Sequence, residues 1–292
     1  LRMEFFICFL LCFVCASGQA IDSSASDFHL TAFDYHARVG IPKADAVLRA
    51  ESVAGRIVGG SQTVSADAYP YQAGIVVTLT TGWTSVCGGS LISNTRVLSA
   101  AHCWWDGQNQ ARTFTIVLGS LTLFTGGTRV HTSEVTVHSS WTPNGIMYDM
   151  AMVRIASVTF NNNIQAISLP AAADANKDFA GLDAVASGYG KTSDGDFPGS
   201  TSLHHVNLKV ITNSICQQSF DVTIHGSHLC THGVNGVGTC DGDSGGPLTA
   251  VWNNQKILIG VTSFGIGDRC QGGYPSVYSR VTTYLNWING NM

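Results

Sequence analysis

Charge is scarce in this sequence: 12% of its 292 residues are Asp, Glu, Lys or Arg, and 15 basic against 19 acidic residues leave a formal net charge of −4. With no basic excess and no basic stripe, the chain lacks the electrostatic footprint of a nucleic-acid binder. Long apolar runs are lacking too. Beyond the N-terminus none approaches the roughly 18 residues that a spanning helix needs, so no internal membrane segment is expected. No Asn-x-Ser/Thr acceptor occurs, and N-glycosylation is therefore not expected. Between Gly119 and Glu134 there is no carboxylate at all, and a hard cation such as calcium needs several oxygen charges. Neither a metal nor a cofactor is expected.

What is present begins with an apolar run, Phe5 to Val14, followed by small residues. That layout predicts a secretory signal peptide over residues 1–20, with cleavage after Ala20, and hence a secreted, extracellular protein. Of nine cysteines, Cys8, Cys12 and Cys15 would leave with it. Six remain: Cys87, Cys103, Cys216, Cys230, Cys240 and Cys270. An even number in an exported chain reads as a disulfide framework, for which six cysteines allow 15 connectivities. Their spacing lacks the paired C-x-x-C of a zinc site, and His204, His205, His225, His228 and His232 read as surface or structural histidines.

Residues 21–56 are polar, carry no cysteine and have one short possible helix, with Ala44, Val47 and Leu48 on a shared face. From Ile57 onward, short apolar runs alternate with Gly, Asn, Ser and Thr, as in Gly74–Leu79, Thr115–Leu118, Leu258–Val261 and Val277–Val281. That pattern predicts an all-β barrel or sandwich. Only Thr282–Ile288, with Tyr284, Leu285, Trp287 and Ile288, has helical spacing.

Three stretches carry chemistry. In Cys240-Asp241-Gly242-Asp243-Ser244-Gly245-Gly246-Pro247 a serine sits among glycines and aspartates, a poor helix and a poor strand, so the bent backbone leaves N–H groups free to point at an oxyanion. Ser99-Ala100-Ala101-His102-Cys103 places a histidine among small residues, and Tyr148-Asp149-Met150-Ala151-Met152-Val153 places an aspartate at the head of a buried-looking strand. Each alone is a turn, a solvated histidine or a turn aspartate. Together, in the order His, Asp, Ser, they resemble the trypsin-like (chymotrypsin-fold) serine endopeptidases, over nearly everything from Ile57 to Met292, and lie close to the digestive chymotrypsin-like enzymes of insect guts.

The resemblance implies two six-stranded antiparallel β-barrels with a C-terminal helix and a site in the cleft between them. It implies a 57–292 peptidase domain in which Ser244 is the nucleophile, His102 its base, Asp149 the orienter of the base, and the amides of Gly242 and Ser244 the oxyanion donors. It pairs Cys87 with Cys103, Cys216 with Cys230, and Cys240 with Cys270. Ser263 supports the aspartate and, with its strand, binds substrate backbone. Phe264 and Tyr189 stand where the family usually has Trp. The pocket residues are Gly238, where trypsins have an acid, and Gly265 and Ser276. An uncharged pocket implies a chymotrypsin-like preference for Phe, Tyr, Trp, Leu or Met before the scissile bond; an elastase-like or broad collagenolytic habit is the alternative. Asp241 falls at the pocket mouth.

The resemblance makes Arg56–Ile57 an activation junction, so that residues 21–56 are a propeptide, released after a trypsin-like protease cuts, and the new Ile57 ammonium pairs with Asp243. Expected partners are protein or peptide substrates, the activating protease and protein protease inhibitors; the chain is expected to be monomeric. An inactive protease-homologue adaptor and an esterase are the readings from other classes, the first opposed by the presence of His102, Asp149 and Ser244.

Overall fold

The computed structural model describes residues 29–54, 65–194 and 202–292. The signal-peptide expectation and the Arg56–Ile57 junction lie outside these residues.

The first half of the chain beyond residue 65 forms one antiparallel sheet from β1 (Gln72–Leu79), β2 (Thr84–Ser93), β3 (Arg96–Ser99), β4 (Ala111–Leu118), β5 (Thr128–Thr132), β6 (Val135–Val137) and β7 (Ala151–Arg154). Its order is β5-β4-β1-β2-β3-β7-β6. Because β5 and β6 are consecutive in the chain and occupy the two ends of that order, the sheet closes through the chain itself, and the seventh strand is a break in the expected sixth. The second half is a closed barrel, in the order β10-β13-β12-β11-β8-β9. Its strands are β8 (Asp183–Gly188), β9 (His204–Ile211), β10 (His228–Thr231), β11 (Pro247–Trp252), β12 (Gln255–Phe264) and β13 (Ser276–Arg280). Closure removes the unpaired edges that Val- and Ile-rich strands would otherwise expose.

Helices are few. Helix α1 spans Ile41–Ala54, a short α2 spans Asn213–Cys216, and α3 spans Val281–Gly290. Helix α3 follows the second barrel, yet Val281, Tyr284, Leu285 and Ile288 are buried in one cluster with Ile75, Leu91, Leu98 and Met152 of the first. It straps the two halves together.

All three expected disulfides form: Cys87–Cys103, Cys216–Cys230 and Cys240–Cys270. Loops of this size contribute about 3 kcal/mol each by restricting the unfolded chain. The first ties the histidine turn to β2, and the third ties the serine loop to the segment before β13.

The N-terminal segment departs most from expectation. It crosses the face of the peptidase region, turns over residues 31–34, makes a π-helical turn at His36–Gly40 and continues as α1. Pro42, which has no N–H to give, stands where the π-helical turn passes into α1. The buried stripe is Lys43, Ala44, Val47 and Glu51, at spacings of three and four, whereas Leu48 is 48% exposed. The predicted shared face is thus corrected: Leu48 follows Val47 by one residue, about 100° around the helix, and points to water. Ala44 and Val47 pack with Val86, Leu123, Tyr189 and Leu203. Glu51 accepts from the amides of Leu123 at 2.8 Å and Phe124 at 3.1 Å and from the Thr125 hydroxyl at 2.9 Å. The carboxylate-poor loop after Gly119 therefore turns N–H donors outward and binds an anion.

Candidate active site

His102 leaves β3 on a single 3₁₀ turn, Ala101–Cys103, pinned by the Cys103 disulfide. Asp149 precedes β7, which pairs with β3 in the register Ser99↔Ala151 and so brings the two side chains together. His102 Nδ1 lies 2.8 Å from Asp149 Oδ2, and the His102 amide donates to Oδ1 at 2.9 Å. Ser263 of β12 donates its hydroxyl to Oδ2 at 2.6 Å, and Ser279 of β13 donates to the Asp149 carbonyl at 2.7 Å. Both side chains are completely buried. With Nδ1 donating to the carboxylate, the tautomer leaves a lone pair on Nε2, the atom a base needs. Ser279 was not foreseen; a serine in a strand has no signature that separates it from its neighbours.

Ser244 heads a loop folded tightly on β2. Gly88 donates to the Ser244 carbonyl at 2.7 Å, and Gly245 donates to Thr262 at 2.8 Å. Gly245 has φ +80°, and a Cβ there would stand 2.5 Å from the Gly88 carbonyl oxygen, so only glycine fits. Gly242, at φ +100°, is likewise in a glycine conformation. Asp243 points inward, accepting from Gly190 N at 2.8 Å and Cys240 N at 3.0 Å. Burial pushes its carboxyl up, while those two amides and the charge of Lys43 pull it down. A Cβ at Gly188 or Gly190 would come within 2.1 or 2.4 Å of that carboxylate, which explains the glycines on both sides of Tyr189. Tyr189 is buried and donates to the Ser120 carbonyl at 2.7 Å, and Phe264 meets Phe220 edge-on, so both aromatic replacements are core residues.

The serine and histidine are adjacent but not coupled. His102 Nε2 is buried and has no hydrogen-bond partner among the described residues. The phenol of Tyr35, from the N-terminal segment, touches both: its ring centroid is 4.8 Å from that of His102, its oxygen is within reach of the Ser244 hydroxyl, and it donates to the Val86 carbonyl at 2.8 Å. Burial drives its pKa far up, so it is a neutral donor. The beginning of the segment pairs with the end of β12. Leu30 bridges Ile266 in the antiparallel sense, Thr31 N donates to the Gly265 carbonyl at 3.3 Å and Gly267 N to the His29 carbonyl at 3.0 Å.

The expected pocket residues converge. A Cβ on Gly238 would lie 2.8 Å from Ser276 Oγ, which already accepts from Thr239 N at 3.1 Å, and a Cβ on Gly265 would meet nothing within 4 Å. Asp241 is not a free acid at the mouth: it is 7% exposed and pairs with Lys191 Nζ at 2.8 Å. Burial opposes the lysine's charge, but the bond to and charge of Asp241 prevail and raise its pKa. Behind the loop, a cavity of about 260 Å³ is lined by Gly188, Gly190, Gly238, Thr239 and Asp243.

The other histidines do not gather. His228 lies 3.0 Å from the Ile146 carbonyl through Nε2 and accepts from His225 N at 3.2 Å, and burial lowers its pKa. Among the described residues, the two close sets of potential metal ligands each include disulfide-bonded cysteines, which have no thiolate to offer.

The trypsin family profile matches residues 57–288. Collagenase of Hypoderma lineatum is 36% identical over 238 residues, covering 81% of this chain and 87% of that protein. Brachyurin of Leptuca pugilator is 33% identical over 80% of this chain and 96% of that one. A solved structure of HL collagenase matches with a TM-score of 0.71 at 35% identity, over 80% of this chain and 98% of that one. With the barrels, the disulfides and the buried His102–Asp149 pair, these likenesses identify the chain as a member of the trypsin family of serine proteases.

Proposed function

We propose that the chain is the zymogen of a secreted serine endopeptidase, cut after Arg56, that prefers a large apolar side chain before the scissile bond. Ser244 attacks the carbonyl and His102 Nε2 takes its proton. Asp149 holds the tautomer and stabilises the imidazolium, and the Gly242 and Ser244 amides receive the oxyanion. The proton then passes from His102 to the leaving amine, and water, activated in the same way, hydrolyses the acyl-enzyme.

The observation that carries the preference is the base of the pocket. Gly238 and Ser276 place no carboxylate there, and the Ser276 hydroxyl is already engaged by Thr239 N. An arginine or lysine entering would be desolvated without a counter-charge. The cavity beside Asp243 supports the activation reading, since it would admit the new Ile57 ammonium to that carboxylate. A collagenolytic preference is the second reading, favoured by the likeness to a protein named collagenase. The test cuts the purified chain with trypsin, verifies Ile57 as the new terminus, and assays peptides differing only at the residue before the bond, beside triple-helical collagen. Cleavage after Phe, Tyr or Leu, absent in Ser244→Ala, is the expected result. Cleavage after Arg would overturn the pocket reading, and no cleavage at any dilution of the cut chain would favour an adaptor.

A further inference from the structure

The N-terminal segment does more than precede a cleavage site. We infer that residues 29–54 are a cleft-filling inhibitor of the enzyme, docked in the direction of a substrate, so that cutting after Arg56 does not by itself free the active site. The inference rests on the peptidase reading above and deepens it.

Direction comes first. Leu30 and Thr31 add antiparallel to β12 at Gly265–Ile266, the edge on which this family holds substrate backbone, and the chain then passes His102 and continues to Val86 and Ser85 of β2. It thus enters on one side of Ser244 and leaves on the other, as a peptide to be cut would do. Yet the segment does not run straight through the cleft. The turn at 31–34, with Asp34 at φ +53°, lifts the backbone toward the histidine-side loop, where Asp34 N donates to the Asp106 carbonyl at 3.2 Å and Asn109 Nδ2 donates to Asp34 Oδ1 at 3.0 Å. Phe33, the first large side chain after the paired residues, packs toward Gly107 and away from Gly238 and Ser276. A side chain that misses the pocket and a backbone turned toward the histidine-side loop make a ligand that is not a substrate.

Second, the segment packs against both reacting groups. Tyr35 stands against both His102 and Ser244, and His102 Nε2 has no hydrogen-bond partner among the described residues. The buried stem of Lys43 packs on Gly242, its Cγ and Cε 3.2 and 3.3 Å from where a Cβ there would be, so the segment also lies against the residue whose amide would receive the oxyanion.

Third, the docking is built rather than incidental. His36 N donates to Asp106 Oδ2 at 2.8 Å, and its Nδ1 meets Ser85 Oγ at 2.8 Å. Gly40 approaches Ser85 so closely that any Cβ would collide with it. Glu51 anchors the far end by backbone donors, and none of these contacts needs the covalent link to residue 57. The expectation that the propeptide simply leaves on cleavage gives way to a bound inhibitor that has to dissociate or be degraded.

The test uses the full chain carrying Arg38→Gln and Arg49→Gln, which removes the exposed trypsin sites of the segment and costs only surface ion pairs with Asp34 and Asp45. After trypsin cuts at Arg56, the fragment is expected to co-elute with the enzyme at micromolar concentration, and peptidase activity per molecule to rise at least tenfold on dilution. Adding Tyr35→Ala, or separately Glu51→Gln at the remote anchor, is expected to release the fragment and give full activity without dilution. A fragment that leaves at once, with equal activity in all three chains, overturns the inference. If the cut chain is inactive on every peptide at every dilution, and stays so with Tyr35→Ala and with Glu51→Gln, the peptidase reading fails, and co-elution alone decides this one: retention lost in Tyr35→Ala upholds it, and identical elution sinks it.

Discussion

On one side of the cleft, hydrogen bonds of 2.6–2.9 Å join Asp149 to His102, Ser263 and Ser279, and every polar atom of the carboxylate is used. On the other side Ser244 faces a phenol, and the bond from its hydroxyl to His102 is not made. The finished half is assembled from β3, β7, β12 and β13, elements fixed by barrel closure. The unfinished half is a loop whose neighbours include a segment of separate origin in the chain. A site divided in this way is controlled at the cheaper half. Withholding the nucleophile needs one displaced contact, whereas disturbing the buried pair would leave an uncompensated carboxylate in the core.

Changes to the reacting groups should have the largest effects. Ser244→Ala in the cut enzyme is expected to lower turnover by about 10⁶-fold and Asp149→Asn by about 10⁴-fold, the losses general to triad enzymes, with an unchanged melting temperature for the serine variant. Comparable activity of Asp149→Asn and the parent would mean that the finished half plays no part in the chemistry. Next comes the pocket. Gly238→Asp, made with Ser276→Gly because a Cβ at 238 would meet Ser276 Oγ at 2.8 Å, is expected to shift kcat/KM toward Arg and Lys by at least about 10²-fold. Paired peptide substrates measure it.

A third effect separates the halves by pH. Burial lowers the pKa of His36 to about 4, with Asp106 and Asp34 pulling up and His102 pushing down. The docked segment therefore prefers neutral His36, its binding is complete above the free-histidine pKa near 6.5, and it weakens as pH falls from there toward 4, by up to about two orders of magnitude. Fragment retention measured from pH 7.5 to 4.5 checks this; tighter retention in acid would contradict it. The smallest change is expected for Ser263→Ala, which removes one of several donors to Asp149. A loss of about 1–2 kcal/mol in stability, read by thermal unfolding, is the outcome.

Much of the site was legible because each reacting residue sits in a short local pattern. His102 lies among alanines, Asp149 heads a strand, and Ser244 is set in glycines that only a tight loop tolerates. The strands were legible for the same reason, since period and turn residues are local. The break at Ser133–Glu134 that separates β5 from β6 was not, because residues 130–137 hold no Gly, Pro, Asn or Asp to mark it. Nor was the pairing of Asp241 with Lys191, fifty residues apart, or the supporting hydroxyl of Ser279. Leu48 was placed on the wrong face because three apolar residues in a short helix leave its rotation open until something packs against it.

Composition, cysteine count and three short motifs thus determined the class of fold and the disulfide-bonded character, and named the candidate reacting groups, because these depend on residue type and near neighbours. Tertiary structure alone decided which side chain packs against both Ser244 and His102. Tyr35 belongs to a polar segment without a motif of its own, and its role exists only where the chain crosses a cleft assembled from residues 50 to more than 200 positions away, by burial and geometry that no local pattern encodes.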